Sequence, residues 1–170
     1  MFISLLRGLV RVVVLTESLK RDPWMFYIVS ALLSGVFEEV GRYLVFCYAI
    51  PYYDRRDDCI SYGIGHGAIE VILTHSLIKA DIIDSLIDCS DFATGIAFHA
   101  AMSVLVFAAA HYYNKKLLFA AIGLHTIIDI IPAFYLMDRI TFEELTFIYP
   151  LYIIIVCWLA HIVYRNFREY

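Results

Sequence analysis

The sequence predicts an all-α, polytopic transmembrane helix bundle of five to six spans. Three observations carry this. Of the 170 residues, 62% are hydrophobic, against roughly half in a soluble domain, and the mean hydropathy is +0.75. Five apolar stretches each reach the roughly 20 residues that cross a bilayer. No strand-like alternation persists over a useful length, and backbone in lipid must satisfy its own hydrogen bonds, which a helix does.

The five stretches run from about Trp24 to Ile50, Cys59 to Ile78, Phe92 to Tyr113, Leu117 to Met137 and Leu145 to Tyr164. The connections between them are short and polar: "PYYDRRDD", "KADIIDSLIDCSD", "NKK" and "DRITFEE". Trp24, Tyr52, Tyr53, Tyr112, Tyr113 and Tyr164 fall near span ends, as an interfacial aromatic belt would. A sixth segment, "FISLLRGLVRVVVLTESLK", puts Ser4, Arg7, Arg11 and Ser18 on one helical stripe. It reads equally as an amphipathic helix on the membrane surface and as a first span whose arginines face the bundle. The whole chain, 1–170, is one integral membrane domain. Residues 1–20 form the amphipathic or first transmembrane segment, and 24–164 the five-helix core.

Charge excludes some functions. The net charge is -4, and Lys and Arg occur singly or in pairs, so no nucleic-acid partner is expected. Cys47, Cys59, Cys89 and Cys157 have no CxxC spacing and read as ordinary buried or lipid-facing thiols. Arg7 and Arg11 in the middle of the first apolar segment suit no cleavable signal. Arg55, Arg56, Lys115, Lys116, Arg165 and Arg168 lie on one side of the membrane, and Lys20, Arg21, Lys79 and Arg139 on the other. That excess predicts a cytoplasmic C-terminus.

Ionisable residues inside spans are costly and point to function. Here they are Glu38, Glu39, Arg42, His66, Glu70, His99, His125 and Asp129. Glu38 and Arg42, His66 and Glu70, and His125 and Asp129 are each four apart, so each pair shares a helix face. At a rise of about 1.5 Å per residue, Glu38, Glu39, Glu70, His99, His125 and Asp129 lie roughly 13–21 Å from one membrane face, with His66 shallower at roughly 10 Å. Carboxylates and imidazoles gathered at one depth suit Zn2+ or another divalent metal, held by three protein groups with a position open to water. A further carboxylate would take the proton of that water. Gly35 and Gly41 flank the acidic pair and would let a neighbouring helix approach. His75, His111 and His161 read as interhelical hydrogen-bonding residues.

Four blocks, "FEEVGRYLVF", "GIGHGAIEVIL", "GIAFHAAMSVLVF" and "GLHTIIDIIPAFY", together resemble the YhfC-type family of intramembrane metalloproteases. That family sits in a clan with the PrsW-type proteases and the type II CAAX prenyl endopeptidases (CPBP). The resemblance covers about residues 30–137. It implies an intramembrane metal-dependent endopeptidase in a prokaryotic cell membrane, acting on a membrane-protein or lipidated-peptide substrate. Glu38, Glu39, Arg42 and His66 map to the catalytic positions. Glu70, His99, His125 and Asp129 map to the metal. Glu38 is the favoured proton acceptor, and Arg42 holds the carboxylate pair. Arg42 follows the glutamates after two residues rather than three, Glu70 stands where the prenyl endopeptidases have His, and Asp129 where they have Asn. These departures favour the YhfC and PrsW branch. The residues also suit a non-catalytic membrane scaffold or immunity-type protein on the same fold, and a small ion or proton transporter. The chain is short for this branch, and a small bundle would be completed by homo-oligomerisation.

Overall fold

A computed structural model describes residues 22–50, 56–76 and 84–166. Five helices follow one another: α1 (Pro23–Leu44), α2 (Arg56–Ser76), α3 (Asp84–His111), α4 (Lys115–Leu136) and α5 (Phe142–Asn166). There is no strand among the described residues. The 1–20 segment lies outside them.

Local chemistry marks the helix ends. Asp22 caps α1: its Oδ1 accepts from the backbone N–H of Trp24 at 3.1 Å and of Met25 at 3.3 Å. Pro23 follows at the first helical position, where a missing N–H costs nothing. Asn114 does the same for α4 through Lys116 N, at 3.1 Å. Thr141 and Glu144 form a reciprocal capping box at α5. The Glu144 N–H donates to Thr141 Oγ1 at 3.2 Å, and the Thr141 N–H donates to Glu144 Oε2 at 2.7 Å. α3 and α4 end in the same way. Tyr113 and Asp138 both have φ of 53°. Asn114 N bonds Ala109 O at 2.9 Å, and Arg139 N bonds Phe134 O at 2.8 Å. These are Schellman closures with a non-glycine residue in the left-handed position.

Among the described residues, four helices are long and apolar enough to cross a membrane: Pro23–Ala49, Phe92–His111, Lys115–Leu136 and Phe142–Asn166. The sequence predicts five. The fifth apolar stretch falls on α2, which forms where expected and carries Asp57, Asp58, His66 and Glu70 among its described residues. A second difference concerns the acidic connection before the third span. The structure is helical from Asp84, so most of that stretch opens α3 instead of looping. Acidic residues are favoured near a helix N-terminus, where the peptide dipoles present positive charge.

α1 is apolar on its outside and polar on its inside. Ser30, Ser34, Glu38 and Arg42 form one buried row four residues apart, and Ala31, Gly35 and Glu39 form the adjacent row. Met25, Ile28, Leu32 and Leu44 face outward. A π-helical turn, Val45–Ala49, follows Arg42 by three residues and closes with Ile50 N on Val45 O at 3.0 Å.

α3 is the central helix. It packs on α2, α5, α4 and α1, and it is buried almost without break from Phe98 to Ala110. Its run of small residues (Ala101, Ser103, Ala108, Ala109 and Ala110) allows that enclosure. α1 packs chiefly on α4, and α2 chiefly on α3. Tyr152 of α5 donates its hydroxyl to Leu124 O at 2.9 Å, one residue before His125. Tyr164 OH and Asp57 tie the end of α5 to the start of α2. Cys47, Cys59 and Cys157 form no disulfide among the described residues. His161 is exposed, while His111 stacks on Phe107. The side chains of His75 and Cys89 lie outside the described residues.

Candidate metal centre

Two close helix approaches build the site. A Cβ placed on Gly63 would meet Ala100 Cα at 2.5 Å and His99 O at 2.6 Å. α2 therefore lies against α3 at the turn that carries His99, and brings His66 and Glu70 with it. A Cβ on Gly35 would meet Ile122 O and Thr126 Oγ1, each at 2.8 Å. α1 therefore lies against α4 at the turn that carries His125. A helix surface made of small residues allows such spacing and a larger one would not.

The ionisable side chains of four helices then close into a ring. Glu39 Oε1 meets His125 Nδ1 at 2.5 Å. Glu39 Oε2 accepts from Arg42 Nη1, also at 2.5 Å. Arg42 Nη2 reaches His99 Nδ1 at 3.1 Å. His99 Nε2 lies 3.2 Å from Glu70 Oε2, and that oxygen lies 3.7 Å from His66 Nε2. His66 Nε2 is 3.7 Å from Glu38 Oε2, which is 3.6 Å from His125 Nε2. Asp129 flanks the ring, with Oδ1 4.0 Å from His125 Nε2. Phe98 fills the gap between the two deep imidazoles, its ring centroid 5.6 Å from His99 and 5.3 Å from His125.

The ring has a closed half and an open half. Glu39 and Arg42 have side chains at 0% exposure, and their pairing with each other and with the two histidines offsets the cost of burying both charges. Glu70 and His66 keep 29% and 23% of their side chains exposed, so the accessible side of the ring is the α2 side. The sequence places Arg42 on the same face as Glu38. In the structure its guanidinium binds Glu39, three residues away, because positions i and i+3 are also neighbours on a helix.

Glu38, His66, Glu70 and His99 offer four ligand atoms that all lie within 4.8 Å of one another. The residue types suit a borderline divalent cation such as zinc, which takes imidazole nitrogen and carboxylate oxygen. Three of the four fit without change. His99 is different, because its Nδ1 already receives an N–H from Arg42. His125 and Asp129 stand just outside the four, joined to them through Glu38 Oε2. The sequence singled out all eight of these side chains. It did not single out Gly63, Gly67 or Phe98. The spacing of Gly63 and Gly67, four residues apart on α2, is the signal that a helix would press against that face.

A family model described as YhfC intramembrane metalloprotease matches residues 2–96. The match takes in Glu38, Glu39, Arg42, His66 and Glu70, while His99, His125 and Asp129 lie past its end. An "Uncharacterized membrane protein YhfC" from Bacillus subtilis (strain 168) is 34% identical over 87 residues, covering 48% of this chain. The match takes in 34% of that curated relative, so the chain spans about a third of its length. No solved structure matches. More than half of the chain falls within the family model, and the chain belongs to the YhfC intramembrane metalloprotease family.

Proposed function

We propose that the chain forms the site of a membrane-embedded, metal-dependent endopeptidase that hydrolyses a peptide bond in a membrane-associated substrate. The observation that carries this reading is the convergence of Glu38, His66, Glu70 and His99 within 4.8 Å, inside a bundle whose other buried surface is largely apolar. Ionisable groups inside spans are rare unless they bind or react.

Glu38, His66 and Glu70 would hold the cation. When bound, a divalent cation polarises a carbonyl and makes water acidic enough to attack near neutral pH. The sequence suggests Glu38 as proton acceptor. Glu38 would instead hold the cation, because its Oε2 lies beside His66 and the residue is in the cluster, and His125 would take the proton. Glu39 holds His125 by Nδ1 at 2.5 Å and leaves Nε2 directed at Glu38, the arrangement of a carboxylate-oriented imidazole base. The water oxygen bonds to the carbonyl carbon as the C=O π bond opens, and the water proton goes to His125 Nε2. That proton then passes to the leaving nitrogen as the C–N bond breaks, giving a carboxylic acid and an amine, and the acid's proton then moves to the amine to leave a carboxylate and an ammonium. Arg42 holds Glu39 in place and touches no substrate. Asp129, 25% exposed beside His125, would help orient the substrate amide.

The protein would lie in a prokaryotic membrane with its C-terminus in the cytoplasm. The substrate is a membrane protein or a lipidated peptide, because only a segment already in the bilayer meets a site at this depth. The test is cleavage of a fluorogenic transmembrane peptide by the purified protein in nanodiscs, with and without a chelator. Chelator-sensitive cleavage that disappears in His125→Ala supports the reading. Equal cleavage by His125→Ala, or none by the wild type reloaded with zinc, rejects it.

A further inference from the structure

The two deep histidines face opposite demands. A guanidinium has only donors. Arg42 Nη2 lies 3.1 Å from His99 Nδ1, so Nδ1 accepts, and a neutral His99 carries its single proton on Nε2. A carboxylate has only acceptors. Glu39 Oε1 lies 2.5 Å from His125 Nδ1, so Nδ1 donates, and a neutral His125 keeps a lone pair on Nε2. Both orienting groups come from α1, three residues apart, and are bonded to each other. Neither has room to turn away, since their side chains are fully buried.

We propose that Arg42 and Glu39 lock His99 and His125 in opposite tautomers, and that His99 therefore faces the cluster as a hydrogen-bond donor and not as a cation ligand. A neutral imidazole has one lone pair. With Arg42 on Nδ1, none remains at Nε2 for a metal. The His99 Nε2–H points at Glu70 Oε2, 3.2 Å away, and so at the open half of the ring. A donor fixed there is placed for an oxygen that gains negative charge, such as a scissile carbonyl during water addition. Arg42 is then a positioning residue, acting on substrate only through His99. The tautomer assignment stands on geometry alone; the role of His99 toward a carbonyl rests on the peptidase reading.

The inference is tested by nitrogen-15 NMR of histidine-labelled protein in nanodiscs, in which imidazole N–H and lone-pair nitrogens resonate far apart. In metal-free wild type, His99 should carry the proton on Nε2 and His125 on Nδ1, each assigned by loss of signal in His99→Gln and His125→Gln. Arg42→Lys keeps a cation for Glu39 but cannot bridge to both partners, so His99 alone should lose its tautomer preference. The zinc-loaded protein supplies the second readout. His99→Gln should retain zinc at wild-type stoichiometry, whereas His66→Gln should lose it. A lone-pair Nε2 on His99 in the metal-free protein, or loss of zinc from His99→Gln equal to that from His66→Gln, would overturn the inference. A wild-type protein that binds no divalent cation would reject the metal reading but leave the tautomer measurement intact.

Discussion

Glu39 and Arg42 form a 2.5 Å ion pair from which solvent is fully excluded, and each uses its second polar atom to hold one histidine. Glu38, the adjacent residue, turns the other way, toward His66 and the open half of the ring. The two glutamates are neighbours in sequence with separate tasks, because successive helix positions point about 100° apart.

Exchanging each glutamate for glutamine should therefore give different losses. Removing one member of a buried ion pair typically costs about 3–5 kcal/mol. Glu39→Gln should lower the unfolding midpoint in detergent, and Glu38→Gln should lower it much less. Glu38→Gln should instead weaken cation binding. Thermal unfolding and metal titration of both variants check this, and equal behaviour in both measurements would return the pair to a purely structural role.

Gly63 is where α2 touches α3. A methyl group there meets Ala100 Cα at 2.5 Å, backbone that cannot rotate aside. Gly63→Ala should push the helices apart and cost about 1–3 kcal/mol, the usual scale for overpacking. It should also weaken metal binding, because His66 and Glu70 on α2 move away from Glu38 on α1. Unchanged affinity in a folded Gly63→Ala protein would show that the close approach does not set the site.

Ser34 is fully buried on α1, and its hydroxyl has no hydrogen-bond partner among the described residues. A buried hydroxyl without a partner is unfavourable. Ser34→Ala should be neutral or stabilising by up to about 1–3 kcal/mol, read as a raised unfolding midpoint. A clear loss of stability would mean that the hydroxyl serves a bound water.

α3 runs from Asp84 to His111, about 42 Å at 1.5 Å per residue, longer than the roughly 30 Å hydrocarbon core. Cysteines introduced at Ser85 and Lys115 should therefore label from opposite faces, with position 115 cytoplasmic. Labelling of both from one side would contradict the proposed crossing.

Much of the fold is written in local chemistry. Asp22 before Pro23, Asn114, and Thr141 three residues before Glu144 cap helix starts in the structure, with residue types suited to such ends. The start of α3 is harder to read, because an acidic stretch such as "DSLIDCSD" suits a surface loop and a helix N-terminus alike. The site divides in the same way. Spacing puts His66 with Glu70, and His125 with Asp129, on shared faces, since that depends only on one helix. Which glutamate meets which histidine depends on how α1 is rotated against α2 and α4. Small-residue contacts at Gly35 and Gly63 set that rotation; the glycines are visible in the sequence, but the partner helix that each one meets is not. The reach of Arg42 across to α3 is equally invisible, because a long flexible side chain has no fixed sequence partner.

The central claim is that Glu38, His66 and Glu70 hold a divalent cation in a peptidase site. The most direct measurement is elemental analysis of the purified protein in detergent, wild type beside the double variant His66→Gln, Glu70→Gln. The account predicts about one equivalent of zinc or another divalent ion in the wild type, as for a single catalytic site, and almost none in a folded double variant. A wild-type protein that takes up no divalent ion, or a double variant that holds as much as the wild type, would contradict it.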